Sequence, residues 1–130
     1  MGGDAALAEH VQPWLDSLAY RVDTPDGSVV FTGDTQPCKS VTDLAQGADM
    51  MLCMCWDDQA VMAETGEAIG QCGTTGAAEM AQEAGVKKLV LGLYGTRSIS
   101  QDPFYKATMG MQRITKGGIV FSEELLKIEL

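Results

Sequence analysis

At 130 residues with 45% apolar content, the chain has the size of one domain with a real core, and no apolar run approaches the roughly 20 residues of a membrane span. Nine basic residues against 18 acidic ones leave a formal charge of −9, which argues against a nucleic-acid surface, because phosphate neutralisation needs clustered Lys and Arg. The start, Met1-Gly2-Gly3-Asp4, lacks the basic residues and apolar core of a secretory signal, so a cytoplasmic location is expected.

Residues 4–9 are alanine-rich and predict a short helix, after which His10 is the sole histidine. Pro13-Trp14 breaks any helix there. Leu18 to Val22 then forms the first arm of a hairpin closed by Asp26-Gly27. The second arm, Val29-Val30-Phe31-Thr32-Gly33-Asp34-Thr35, organises the chain. β-Branched and aromatic residues ending in Gly-Asp describe a buried strand that delivers a carboxylate to its C-terminal edge, where open α/β sheets place their chemistry. Gly33 supplies the turn and Thr35 a neighbouring hydroxyl. The competing reading of Asp34 is a turn former or cap.

Ser40-Val41-Thr42-Asp43 has the form of a capping box opening a helix over 41–46 that stops at Gly47. Ala48-Asp49 leads into the apolar run Met50 to Cys55, a strand covered on both faces. Residues 57–73 read as a surface excursion with a helical turn or two between Gln59 and Ile69. A Thr74 cap, apolar Ala77, Ala78, Met80, Ala81 and Ala84, and Gly85 predict a helix, followed by the buried strand Leu89-Val90-Leu91. Residues 92–103 form the loop at that strand's C-terminal end, and such loops carry binding groups, which makes Tyr94, Arg97 and Ser98 candidates. Ile119 to Phe121 and Lys127 to Leu130 read as two short strands. Cys38, Cys53, Cys55 and Cys72 fit neither a paired zinc motif nor a disulfide framework and are expected as free thiols, Cys53 and Cys55 on one strand face.

The ordered blocks His10, Leu18-Ala19-Tyr20-Arg21, Phe31-Thr32-Gly33-Asp34-Thr35, Ala48-Asp49 with its strand, and Ala84-Gly85-Val86-Lys87-Lys88-Leu89-Val90-Leu91 resemble the C-terminal half of metallo-β-lactamase-fold hydrolases, nearest the branch with ribonuclease Z and arylsulfatase-like enzymes. The resemblance implies α/β architecture: half of an αββα sandwich, a mixed sheet with helices packed on one face, so that residues 1–130 are a single truncated domain. Full-length members bind two metal ions, commonly zinc, and hydrolyse phosphodiesters, sulfate esters, lactones or β-lactams. His10 falls at a ligand histidine and Asp34 at the aspartate that bridges the metals.

The departures concern the same chemistry. The His-x-His-x-Asp-His motif of the N-terminal half is not in this sequence, and the terminal ligand histidine is Leu93. A pair such as His-Glu is replaced by Cys53, Met54 and Cys55, and the polar entry to the next helix reads Cys72-Gly73-Thr74. A catalytic zinc usually needs three protein ligands and a water. A recruited set of His10, Asp34 and Cys53 or Cys55 is chemically open; the alternative makes the cysteines small buried hydrophobes and His10 an exposed terminal residue. Trp14 and Trp56 are read as packing residues before pocket walls.

Half a sandwich would expose one apolar sheet face, so a homodimer is expected. Two functions follow. One is a hydrolase of an ester-type bond in a small molecule (carboxylic ester, phosphodiester, sulfate ester or lactone): with metal, Asp34 holds the ion; without it, His10 or Asp34 acts as general base and Tyr94, Arg97 or Ser98 stabilises the oxyanion. The other is a catalytically silent fold serving binding or assembly.

Overall fold

A computed structural model describes residues 2–8, 17–92 and 101–130. The strands are β1 (Gly2–Ala8), β2 (Ser17–Thr24), β3 (Gly27–Phe31), β4 (Met50–Met54), β5 (Lys88–Gly92) and β6 (Gly118–Phe121). The helices are α1 (Lys39–Leu44), α2 (Gln59–Thr65), α3 (Thr74–Ala84) and α4 (Gln101–Ile114). All six strands form one sheet in the order β1-β2-β3-β4-β5-β6. The first two pairings are antiparallel and the last three parallel. Spatial order equals chain order, so each parallel crossover steps in the same direction. Connections of one hand then put their helices on the same face, and α3 accordingly packs against α1, α2 and α4. Among the described residues no helix is long and apolar enough to cross a membrane.

Strand alternation sorts the side chains by face. Ala19, Val30, Met51, Cys53, Leu89 and Leu91 point under the helices and are fully buried or nearly so. There they join Val41, Ala45, Ala77, Ala78, Ala81 and Met111 in one core. The opposite face carries the register-aligned row Ala5, Tyr20, Phe31, Leu52, Val90 and Val120 across all six strands.

Local chemistry explains most boundaries. In the β2–β3 hairpin Thr24 pairs with Gly27, so the turn is Pro25-Asp26, one residue earlier than expected. The Thr24 hydroxyl accepts from the Asp26 and Gly27 amides, each at 3.2 Å. Asp58 caps α2 by accepting from the Ala60 amide at 3.0 Å. Gly85 ends α3 in the left-handed region, φ 68°, where a side chain would be strained.

Five expectations change. The alanine-rich start is β1, not a helix: seven residues pair with β2, and a six-residue helix has too few internal bonds to compete. Ser40 is not the α1 cap. Cys38 holds that position, and the Ser40 hydroxyl instead donates to the Leu7 carbonyl, fastening α1 to β1. Thr74 is the first residue of α3, with Gly73 as N-cap. The loop expected over 92–103 gives way to α4 from Gln101, and Lys127 to Leu130 is irregular, tied back where the Lys88 ammonium donates to the Glu129 carbonyl.

Candidate active site

The C-terminal ends of β3, β4 and β5 lie along one edge because these strands are parallel. A cleft of about 180 Å³ opens there, lined by Asp34, Thr35, Met54, Cys55, Trp56, Gln71 and Cys72. Its position follows from the sequence just past Phe31. Thr32 is fully buried; its hydroxyl accepts from the Met54 amide at 3.2 Å and donates to the Gly33 carbonyl at 2.9 Å, locking the end of β3 to β4. Gly33 then turns with φ 62°, and a Cβ there would stand 2.9 Å from the Leu18 carbonyl oxygen. Only glycine meets both demands. The Asp34 carbonyl accepts from the Ser17 hydroxyl at 2.6 Å, which fixes the backbone while the side chain stays exposed at the cleft.

The far wall is built by an isolated bridge between Cys55 and Cys72. The Trp56 amide donates to the Cys72 carbonyl at 2.8 Å, and the Cys55 amide to the Gly92 carbonyl at 2.8 Å. Gln36 adds a strap: its side-chain oxygen accepts from the Gly70 amide at 3.0 Å. The Thr35 hydroxyl is directed inward and donates to the Gln36 carbonyl at 2.7 Å, so it braces the loop beneath the acid.

All four cysteines are free thiols, as expected, and Cys53 and Cys55 share the helix-side face. Cys55 reaches the cleft, whereas Cys53 is fully buried behind it with its sulfur 3.7 Å from that of Cys72. Burial pushes the Cys55 thiol up to about 12, with the neighbouring Cys53 and Asp57 adding to the rise. The Cys72 thiol is also raised, first by its hydrogen bond with Cys53 and then by burial. Both thiols are therefore protonated at neutral pH.

Of the residues singled out in the sequence, the structure brings Asp34 and Cys55 into one cleft and leaves Cys53 in the core. His10, Tyr94, Arg97 and Ser98 lie outside the described residues, as does Trp14. Their neighbours in sequence nevertheless mark an edge. Ala8 pairs with Ser17, whose hydroxyl reaches Asp34, and Gly92 ends β5 beside Met54. Ala8, Ser17 and Gly92 thus lie at the edge that carries Asp34. Trp56, expected as a packing residue, is 37% exposed and lines the cleft. Gln71 was not legible in advance, because only the Cys55–Cys72 bridge draws residue 71 to the strand end.

Zinc, which the resemblance implies, can be tested against these donors. Among the described residues no three His, Cys, Asp or Glu side chains converge as a metal-binding group. A zinc-bound cysteine must lose its proton, and the environment of Cys55 opposes that loss. The described residues by themselves do not fit a catalytic zinc.

No family model matches the chain. Ribonuclease Z of Brevibacillus brevis is 33% identical over 81 residues, covering 60% of this chain and 24% of that protein. The metallo-β-lactamase fold protein YhfI from Bacillus subtilis superposes with a TM-score of 0.73 at 18% identity, over 95% of this chain and 48% of that one. The short form of human tRNase Z superposes with a TM-score of 0.68 at 20% identity, over 98% of this chain and 42% of that one. The chain thus spans about half the length of these solved structures and about a quarter of the curated relative.

Proposed function

We propose that this chain, which carries half of the metallo-β-lactamase fold, is the acid-bearing half of a hydrolase that cleaves an ester-type bond in a small molecule. The observation that carries this reading is the placement of Asp34: an exposed carboxylate on a rigid glycine turn, at the mouth of a cleft on the edge where the parallel strands end. The likeness to a ribonuclease Z favours the phosphodiester among the ester classes. The charge of −9 disfavours a long polyanion and favours a small diester.

The cleft sets what enters. About 180 Å³ is below the usual volume of a drug-sized pocket, so it accommodates the reacting end of a substrate and leaves its body outside. Trp56 offers an apolar surface to an aryl or alkyl substituent. Asp34 acts as general base, holding a water and taking its proton as the water oxygen bonds to phosphorus and the P–O bond to the alcohol or phenol breaks, the departing oxygen leaving as the phenoxide or taking a proton from solvent. Charge then develops on the non-bridging oxygens, and Arg97, Tyr94 and Ser98 are assigned to stabilise it, with His10 as the alternative base. No step is routed through a metal.

The test is turnover of bis(p-nitrophenyl) phosphate, p-nitrophenyl acetate, p-nitrophenyl sulfate and an aryl lactone by the full chain and by Asp34→Asn. The expected result is diesterase activity lost about 100-fold in kcat with KM little changed. A second reading, a catalytically silent module, is favoured by one observation: the cleft beside Asp34 is walled by protonated thiols. Absence of turnover with all four substrates by folded protein supports that reading and overturns the hydrolase.

A further inference from the structure

Besides Asp34, the cleft carries a second polar side chain whose bonding capacity is unspent. Gln71 is half-buried and lines the wall built by the Cys55–Cys72 bridge. Its backbone is held on both sides: the preceding Gly70 amide donates to the Gln36 side-chain oxygen at 3.0 Å, and the following Cys72 carbonyl accepts from the Trp56 amide at 2.8 Å. Among the described residues none bonds its carboxamide. Other hydrogens in the lining are committed. The Thr35 hydroxyl donates to the Gln36 carbonyl at 2.7 Å, the Cys55 thiol to the Asp57 carbonyl at 3.8 Å and the Cys72 thiol to the Gly73 carbonyl at 3.4 Å. What remains is the Gln71 carboxamide, with two N–H donors, and the Trp56 indole N–H, with one. Both groups are neutral, and Asp34 is the one charge among the described lining residues.

We infer that Gln71 is the substrate-binding residue that admits phosphodiesters and rejects phosphomonoesters, its carboxamide donating to a non-bridging oxygen while Asp34 addresses the water. The inference rests on the hydrolase reading of the same cleft and adds to it the group that holds the substrate. Size brings the two together. A volume of about 180 Å³ is a space about 7 Å across were it round, so a phosphoryl group met by a water on Asp34 also stands within reach of the Gln71 wall. Charge does the selecting. A diester spreads one negative charge over two non-bridging oxygens, and a neutral donor suffices to fix one of them. A monoester carries about −1.5 to −2 at pH 7, and its further charge is set beside the Asp34 carboxylate with no cation among the described lining residues to offset it. One more like charge about 5 Å away costs about 10-fold in affinity in a partly solvated cleft. Glutamine supplies hydrogen bonds without charge, which is what separates the two ester classes. Its contact is made in the ground state and the transition state alike, so its loss shows in KM rather than in kcat.

The test reads binding apart from turnover. Nitrogen-labelled full chain is titrated at about pH 7.5 with diethyl phosphate and, separately, with ethyl phosphate, a dianion there, following the Gln71 side-chain NH₂ resonance assigned through its own backbone amide. The diester is expected to shift that resonance to saturation, and the monoester to bind at least about 10-fold more weakly. Gln71→Lys, which adds a charge to the donor, is expected to improve ethyl phosphate binding about 10-fold and so to erase the preference. In turnover of bis(p-nitrophenyl) phosphate, Gln71→Ala is expected to raise KM about 10-fold with kcat little changed, the opposite of Asp34→Asn. The wild-type titration decides even where a variant unfolds. A resonance that moves equally with both esters, or with neither, overturns the inference, as does a folded Gln71→Lys protein that still prefers the diester. The two readings fail separately. A Gln71 resonance that answers to the diester alone in protein without turnover keeps the binding site and removes the hydrolase, whereas diesterase activity with a KM indifferent to Gln71→Ala removes Gln71 and keeps the hydrolase.

Discussion

Strand β3 joins two edges of the sheet that treat an aspartate in opposite ways. At its C-terminal end Gly33 turns the chain and Asp34 is left exposed at a cleft. At its N-terminal end Gly27, φ 153°, packs against Asp49, whose carboxylate accepts from the Ser28 amide at 2.9 Å, the Ser28 hydroxyl at 3.1 Å and the Lys87 ammonium at 2.6 Å. Arg21 strengthens the same end, donating to the Leu44 and Gln46 carbonyls at 3.0 and 2.8 Å at the C-terminal end of α1 while its Nε pairs with Asp23. Asp49 therefore has its lone pairs committed to the fold, and Asp34 has them turned toward solvent. A carboxylate must keep that freedom to handle a water or a substrate proton, and a rigid opposite edge is what allows it.

The largest expected effect separates the two acids. Asp34→Asn is expected to reduce turnover about 100-fold, equivalent to about 2.7 kcal/mol of barrier, with an unchanged melting temperature. Asp49→Asn is expected to do the reverse, lowering the melting temperature while leaving kcat per folded molecule intact. Equal thermal shifts in the two variants would erase the distinction.

Gly33→Ala comes next and tests whether the turn aims the acid. Its left-handed backbone and the 2.9 Å approach to the Leu18 carbonyl oxygen predict a loss of about 1–3 kcal/mol in denaturant unfolding, together with lower turnover as Asp34 shifts. On the other edge Arg21→Ala, which strands two carbonyls at the end of α1, is expected to cost about 1–2 kcal/mol with turnover kept. A Gly33→Ala protein of full stability would place the strain elsewhere.

The contrast between the edges was only half legible in the sequence. The hairpin, the β3 strand ending in Gly-Asp, the β4 and β5 strands and the α3 helix with its Gly85 stop are written in local periodicity and turn chemistry. Asp49 gives no such signal, since it precedes an apolar run much as Asp34 follows one, and only the parallel pairing of β3 with β4 brings Ser28 to it. β1 owes its conformation to pairing with β2 against its own alanine content, a tertiary effect that overrides propensity. Helix α4 was concealed because Pro103 and Gly110 break the composition expected of a 14-residue helix; a proline in the first turn is in fact tolerated. Trp56 and Gln71 reach the cleft through the Cys55–Cys72 bridge, a contact between residues 17 apart that no spacing rule announces.

The smallest expected effect appears only in acid, and it sharpens the assignment of Asp49. The Lys87 ammonium, then the Ser28 amide and hydroxyl, hold the Asp49 carboxyl down to about 2, against about 3.9 for an unfolded aspartate. A carboxyl depressed on folding stabilises the native state above the unfolded value, and that contribution is lost as pH falls through the folded one. Wild-type stability, measured by urea unfolding, is therefore expected to exceed that of Asp49→Asn from pH 5 upward, and the gap to close between pH 4 and 2. Lys87 is 75% exposed, so its share is screened by salt, whereas the bonds from Ser28 are not. Repeating the titration in 1 M NaCl is expected to narrow the gap without abolishing it. A gap that vanishes in salt would assign Asp49 to a surface ion pair alone, and the rigid edge would then rest on Arg21.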